Sequence, residues 1–361
     1  MVPIPYDDTA PVPPPAYQRA LAKHSPALHL DALGVVRRRH LLALCRLAVG
    51  VGQGSGPAAL PKGPGGARRA YSDASLLLLA LLRTLWRLSL RDLHDWLVSW
   101  PALALACGLP VDAQGRPRVP SPATMSKRAG RLGAPASEVR FVQAVRQALR
   151  TRLIGARDLI LDSAPIKAWR VADPDAQVGH APAHHPTAWL CGFRVHTLIC
   201  RGSGLPIAFR LAPANRHDAP FAQPLLALAV RLYGLRVRVV RRDAAYWGPA
   251  LIAWIHTTLH ATAVIPWNPK RTKDRSCLPP TWTRAELGKR TSIERFFGRV
   301  LLFFRLQRPP LVGWTALTQQ VALTYTASIL VGLAAQDAGR PDLIRSPKRV
   351  LAHSWEGLLA S

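Results

Sequence analysis

The stretch from residue 158 to residue 265 alternates between short apolar runs and helical patterns, and this order limits the fold more than any other feature of the chain. Three apolar runs of strand length come first, followed by a helical pattern, a strand, a second helical pattern and a last strand. The order predicts a mixed α/β sheet with an antiparallel front half. Its elements are residues 159–161, 189–200, 205–211, 219–233, 237–240, 249–260 and 261–265.

Residues 70–150 carry helix start signals and predict a small helical bundle. The second helix is expected to bury Leu93, Trp96 and Leu97. The basic side chains of this region fit two interpretations, a helix-turn-helix on DNA or a plain helical scaffold with a solvated basic face. The start signals are Ser72 or Asp73, Ser89-Leu-Arg-Asp92 and Ser121-Pro-Ala-Thr124, and the basic residues are Arg128, Arg131 and Arg140.

The chain carries 48 Lys and Arg against 20 Asp and Glu, a formal charge of +28. So large an excess disfavours a compact state unless a polyanion or counterions offset it. Nucleic acid is the first candidate and an anionic membrane surface the second. Most of the basic residues are Arg, whose guanidinium binds phosphate through two hydrogen bonds at once. A GC-rich genome explains the preference for Arg over Lys but not the scarcity of acids, so we expect contact with nucleic acid.

The sequence predicts a cytoplasmic protein that contacts no membrane. The first residues have neither the basic nor the apolar region of a signal peptide. The most apolar run, residues 76–90, is broken by Arg83 and Arg87, so no stretch is expected to span a bilayer. The five cysteines include no CxxC pair, and reduced thiols are expected.

In a chain this poor in acids, three carboxylates stand at informative places. Asp162 and Asp243 are expected at or just past the carboxyl ends of strands, where α/β sheets bind ligands, and Glu294 lies in a predicted helix. Three carboxylates at one sheet edge repel one another unless a cation neutralises them, and such oxygen ligands suit Mg²⁺ or Mn²⁺. Taken singly, each aspartate also fits a cap or a turn, and Glu294 fits a surface ion pair.

The same residues resemble the DDE transposases of bacterial insertion sequences, which have an RNase H-like catalytic core. The resemblance covers roughly residues 70–335. It rests on five segments in the order of the family's motifs, which are Leu159-Ile-Leu-Asp162-Ser163, Cys191-Gly-Phe-Arg-Val-His196, Gly204-Leu-Pro-Ile207 with Ala214-Asn-Arg-His-Asp218, Arg242-Asp243-Ala-Ala-Tyr246, and Arg290-Thr-Ser-Ile-Glu294-Arg-Phe-Phe297. Two positions depart from the family's glutamate motif, because Leu287 and Leu301 stand where it often has Tyr and Lys.

The resemblance implies an α/β fold with an RNase H-like mixed sheet flanked by helices and an N-terminal helical domain. The expected organisation has four parts. Residues 1–69 form a basic, Pro/Gly-rich arm with one helix, and residues 70–150 form a helical DNA-binding domain. Residues 151–340 form the RNase H-like catalytic domain, and residues 341–361 form a C-terminal tail.

The resemblance also implies the roles of single residues. Asp162, Asp243 and Glu294 are the expected catalytic residues and ligands of two Mg²⁺ or Mn²⁺ ions. DNA contacts are expected from Arg290, Arg194, Arg242, Tyr246, Arg299, Lys127 and Arg128.

Simpler structural roles remain open for several of these residues. Arg290 also fits an ion pair within its helix, and Tyr246 fits core packing. Asn215 and Asp218 fit caps of the helix that begins near Ala219. His196 fits either the lining of the cleft or a packed polar position in its strand.

The expected function is DNA transposition, with hydrolysis at the ends of the element followed by joining of the 3′ hydroxyls to target DNA. The expected partners are double-stranded DNA, as inverted repeats and as target, and a second copy of the chain in at least a dimer. A bacterial, nucleoid-associated protein is implied. Two alternatives stay open, a nuclease of the same fold without strand transfer and a non-catalytic DNA-binding protein derived from a transposase.

Overall fold

The computed structural model describes residues 70–180, 188–268 and 286–351. The predicted arm 1–69, most of the predicted loop 268–288 and the end of the predicted tail lie outside the described residues. The described residues form two compact units. One comprises those up to Phe141 together with those from Ala322 onward, and the other comprises Val142–Val321. Both divisions fall inside helices, and the predicted domain boundaries stay a prediction.

The first unit begins with helices whose starts the sequence predicts correctly. The Ser72 side chain caps the first helix by accepting a hydrogen bond from the Ser75 amide. Ser89 and Asp92 form a reciprocal capping box at the second, and Leu93, Trp96 and Leu97 are buried as expected. The helices are α1 (Asp73–Trp86), α2 (Leu90–Ser99), α3 (Pro101–Ala106) and α4 (Pro122–Arg150).

Helix α4 is interrupted by a sharp kink at Gly133. This glycine has φ 67° and ψ −178°, a backbone conformation that side chains other than hydrogen rarely allow. Pro135 follows two residues later and lacks the amide hydrogen that a continuous helix requires. The predicted third helix therefore runs as two helical segments joined at Gly133.

The second unit is built on a six-stranded mixed sheet in the predicted order. Strands β1, β3 and β4 pair antiparallel, whereas β5 and β6 run parallel to β1, giving the order β4–β3–β1–β5–β6. A short strand that the sequence did not predict, β2, pairs with the first residues of β3. The strands are β1 (Asp158–Lys167), β2 (Gln177–His180), β3 (Trp189–Cys200), β4 (Pro206–Pro213), β5 (Val239–Arg241) and β6 (Thr262–Val264).

Helices pack around this sheet, close to the predicted spans. The helix expected over residues 292–306 is shorter, because it gives way after Gly298 to a π-helical turn, Arg299–Phe303. Three-residue 3₁₀ turns precede several elements, among them Ala219–Phe221, Ala244–Tyr246 and Gly288–Arg290. The helices of this region are α5 (Ala222–Tyr233), α6 (Pro249–Leu259), α7 (Thr291–Gly298) and α8 (Trp314–Asp337). A further short helix, α9 (Pro347–Leu351), belongs to the first unit.

Among the described residues, α8 is long and apolar enough to cross a membrane by length and composition. The expectation that no stretch reaches that limit is therefore wrong. However, 83% of its apolar window is buried inside the protein, which is the pattern of a core helix.

Two aspartates from the turn between β1 and β2 hold the start of α8. Asp173 accepts a hydrogen bond from the Gly313 amide at 2.9 Å, and Asp175 accepts one from the Trp314 amide at 2.7 Å. The first amides of a helix have no partner within it, and negative charge at that end is favourable. Because Asp173 is buried, its carboxylate ties the edge of the sheet to this helix.

We expect Asp173→Ala to lower the free energy of unfolding by about 1–3 kcal/mol, because the partly buried Gly313 amide loses its acceptor. Urea unfolding measures this change. Arg170→Ala removes an exposed side chain from the same turn and is the control, with an expected change within about 0.5 kcal/mol. Equal stability of the two variants would contradict the stabilising role of Asp173 at the start of α8.

Candidate active site in the sheet unit

Asp162 lies in the middle of the central strand, not at its end. The sequence predicted a strand that stops at Asp162, but β1 continues to Lys167 because β3 pairs with it along its whole length, as far as Lys167 opposite Gly192. The Asp162 side chain is only 14% exposed, and its Oδ1 accepts a hydrogen bond from the Ser163 amide at 2.8 Å. The carboxylate therefore projects from the sheet surface at a largely buried position.

Asp243 follows β5 directly, as predicted. Ile160 of β1 is aligned with Arg241 of β5 in the parallel ladder, so continuing this register places Asp162 beside Asp243. Oδ1 of Asp243 accepts a hydrogen bond from the Ala245 amide at 3.0 Å and caps the 3₁₀ turn. The two aspartates thus lie next to each other at the same level of the sheet.

Glu294 is brought to this pair by Arg290. The Arg290 guanidinium donates from Nη1 to Oδ2 of Asp162 at 2.6 Å and from Nη2 to Oε1 of Glu294 at 3.1 Å. The predicted pair between Arg290 and Glu294 is present, and the bond to Asp162 was not foreseen. Glu294 is 57% exposed, so its carboxylate faces solvent on one side.

Successive strand residues point to opposite faces, and this separates Arg242 from Asp243. Arg242 is completely buried under α5, where its Nη2 donates to the Ala222 carbonyl at 3.2 Å. Its guanidinium lies 5.2 Å from the ring centre of Tyr246, which is also buried. The predicted DNA contacts of Arg242 and Tyr246 are corrected, because neither side chain reaches the surface, and the alternative of core packing holds for Tyr246.

Asp218 joins the site from the opposite face, which sequence reasoning missed. Its side chain makes no cap hydrogen bond at the 3₁₀ turn that it precedes, so the predicted cap is wrong. Instead it accepts from the Ser163 hydroxyl at 3.0 Å and from Nη1 of Arg194 at 3.4 Å. The signal was available, because Asp218 lies in the turn that follows the third long strand, in a chain with only 20 acids.

Residues 155–330 match the family model described as a transposase DDE domain. These residues form a transposase DDE domain. A cryo-electron microscopy structure of a piggyBac transposase synaptic complex with hairpin DNA is similar over 89% of this chain and 79% of that chain, at 10% identity and a TM-score of 0.44. No curated protein matches the chain.

The DDE domain has the RNase H-like sheet that the sequence predicted, with the three long antiparallel strands first and the two short parallel strands after them. Arg299, a predicted DNA contact, donates from Nη2 to the Gly204 carbonyl at 3.0 Å. The other two predicted contacts lie in the first unit. Lys127 is exposed on α4, and Arg128 pairs with Asp73 at 2.5 Å. Direct DNA contacts of these side chains stay predictions.

The DDE domain is locally short of positive charge at its two aspartates. Burial, and then the charge of Asp243, raises the pKa of Asp162 to about 7, although Arg290 and the Ser163 amide act in the opposite direction. No three His, Cys, Asp or Glu side chains in the described ranges stand close enough to hold an ion as arranged. The reason is visible at Glu294, where the Arg290 cation lies between that carboxylate and Asp162.

We expect Asp162→Asn to gain stability relative to the wild type as the pH rises from about 4 to about 7. The folded wild type holds its Asp162 proton up to about pH 7, whereas the unfolded chain releases it near pH 3.8, so wild-type stability is lost across that window. The difference is on the order of 4 kcal/mol and levels off above pH 7. Urea unfolding in EDTA at several pH values measures it.

Glu286→Gln is the control with the opposite sign. Hydrogen bonds from Lys289 and Arg241 lower the pKa of Glu286, so its stabilisation is present above the unfolded pKa and is lost as the pH falls through the folded one. This variant should be less stable than the wild type at pH 7 and equal to it in acid. A difference for Asp162→Asn that does not vary with pH would contradict the charge deficit.

Proposed function

We propose that this chain is a transposase that binds the DNA ends of its element and catalyses metal-dependent phosphodiester hydrolysis and strand transfer. The observation that carries the proposal is that Asp162 lies beside Asp243 in the sheet of the DDE domain and shares the Arg290 guanidinium with Glu294 of the following helix. No other carboxylates of the described DDE domain combine adjacent strand positions with a charge deficit of this kind.

The residues present fit divalent metal ions. All the donors are carboxylate oxygens, which Mg²⁺ and Mn²⁺ prefer, and the charge of Asp243 beside the buried Asp162, which contributes to its raised pKa, supports a cation at this place. Asp162, Asp243 and Glu294 would hold two such ions. When bound, the ions supply a lowered pKa for the attacking water or hydroxyl and stabilisation of the leaving oxygen.

Arg290 is the residue whose role changes most in this proposal. In the structure its guanidinium neutralises Asp162 and Glu294. With divalent cations held at those carboxylates, the Arg290 guanidinium would be free to bind a phosphate group of the DNA through two hydrogen bonds. Asp162 then stays ionised at neutral pH. Arg290 thereby links occupancy of the carboxylates to contact with the DNA backbone.

Partners and location follow from the same proposal. Joining two element ends to target DNA requires double-stranded DNA of both kinds and at least two copies of the chain. The charge of +28 supports DNA binding that weakens steeply with salt, because phosphate contacts release counterions. We propose a place on the bacterial nucleoid, in the cytoplasm.

Asp162→Asn, Asp243→Asn and Glu294→Gln should each reduce cleavage of a duplex carrying the element's terminal repeat by about a thousandfold or more, while DNA binding stays intact or improves. Gel assays with Mn²⁺ measure cleavage, and a pre-cut end with target DNA measures strand transfer. Asp95→Asn, an exposed charge on α2, is the control. Hydrolysis without joined products supports the nuclease alternative. Cleavage that survives all three substitutions contradicts the proposed site.

Arg290→Gln should bind Mn²⁺ several-fold more tightly than the wild type in the absence of DNA, because a competing cation is removed. It should also cleave DNA more slowly, because a phosphate contact is lost. Thermal shift against MnCl₂ measures the first effect. Arg295→Gln removes the same charge from an exposed position on the same helix and should leave Mn²⁺ affinity within about twofold. Equal affinities for the two variants would contradict the role of Arg290.

A further inference from the structure

Asp218 is a largely buried carboxylate that the proposed chemistry does not use. Its side chain is 15% exposed, and burial raises its pKa, with a smaller contribution from the charge of Asp243, while Arg194 and the Ser163 hydroxyl oppose this rise. A carboxylate withdrawn from water is costly unless hydrogen bonds compensate. The structure supplies Ser163 at 3.0 Å and Arg194 at 3.4 Å, so the position is built to keep this group in place.

Ser163 connects Asp218 to Asp162. The Ser163 amide donates to Oδ1 of Asp162 on one face of the sheet, and its hydroxyl donates to Oδ1 of Asp218 on the other. In the ladder Ser163 stands opposite His196, while Asp162 stands opposite Thr197, which confirms that the two faces are distinct. The hydrogen bond from the Ser163 hydroxyl to Asp218 therefore fixes the position of β1 at the point from which the Asp162 side chain projects.

His196 and Tyr246 connect the same region to Asp243. The Tyr246 hydroxyl lies 3.3 Å from Nδ1 of His196, and Tyr246 ends the 3₁₀ turn that Asp243 caps. The His196 ring stacks on Phe221, three residues after Asp218, with ring centres 4.2 Å apart. His196 and Tyr246 are buried, so these contacts are shielded from water and have little room to rearrange.

We propose that Asp218 is a positioning residue for the reaction, which acts through Ser163 on Asp162 and, through His196 and Tyr246, on the turn that carries Asp243. This inference rests on the proposed function, because it assumes that the two aspartates are the reacting ligands. Small displacements of such ligands reduce rates by about a hundredfold even when the fold is intact. In this role Asp218 holds the Ser163 hydroxyl and is not itself a ligand of the ions.

The test uses the full chain with Ser163→Ala, Asp218→Asn and the double variant. Each single variant should raise the Mn²⁺ concentration for half-maximal cleavage several-fold and lower the maximal rate by about ten- to a hundredfold. The double variant should resemble the more affected single one, because both changes break one link. Tyr246→Phe, which keeps the ring and removes the hydroxyl, should shift the Mn²⁺ dependence in the same direction.

Asp173→Ala is the matched control, since it removes another buried aspartate of the same unit and lowers stability without touching this network. It should leave the Mn²⁺ dependence unchanged at temperatures where it is folded. A purely structural role for Asp218 would give the same result as this control and would overturn the proposal. So would strictly additive effects of Ser163→Ala and Asp218→Asn.

Two further outcomes separate this proposal from the function on which it rests. Complete loss of the Mn²⁺ thermal shift in Asp218→Asn, equal to that in Asp162→Asn, would make Asp218 a ligand and overturn its positioning role. A wild type that shows neither a Mn²⁺ shift nor cleavage would overturn the proposed function, and this proposal with it. If the wild type responds to Mn²⁺ and both Ser163→Ala and Asp218→Asn respond in the same way as the wild type, this proposal alone is overturned.

Discussion

The mutual repulsion of two aspartates held side by side in a sheet is the constraint on which the rest of the site depends. Asp162 and Asp243 come from strands whose register is set by backbone hydrogen bonds, so they cannot separate without breaking the sheet. The described residues reduce the cost at Asp162 with the Arg290 guanidinium and the Ser163 amide. The helix that carries Glu294 is thereby drawn to the strand by electrostatics as well as by packing.

A second network, of hydrogen bonds and ion pairs around Arg241, holds the segment before that helix against the sheet. Arg241, only 4% exposed, donates to Asp158 at the start of β1 and to both the side chain and the carbonyl of Glu286. A guanidinium suits this place because its fixed fork binds two carboxylates at once. The chain therefore returns to the sheet at Glu286, four residues before Arg290. Arg241 and Asp243 lie on the same face by strand alternation, so one face carries both this anchor and the proposed metal ligand.

Short sequence patterns predicted the features that depend on interactions between residues close together in the chain. The alternation over residues 189–200 gave β3 with its observed bounds, and the caps at Ser72 and Ser89 are where the sequence placed them. The end of β1 was misjudged because its apolar run stops at Leu161, whereas pairing with β3 carries the strand on to Lys167. Asp218 was misjudged for a related reason. A local capping rule competes there with Ser163 and Arg194, which are distant in sequence and become neighbours only in the fold.

The strongly basic composition and the charge deficit at the site have a common explanation. In the described sheet unit most carboxylates are already committed, because Asp158 and Glu286 hold arginines and Asp173 and Asp175 hold the start of α8. Arginine in excess can neutralise surfaces and phosphates, but among the described residues it reaches Asp162 through Arg290. A chain of +28 can therefore lack positive charge at one buried point. Such a point favours a small, multiply charged cation over another side chain, since a compact ion concentrates its charge where a guanidinium spreads it.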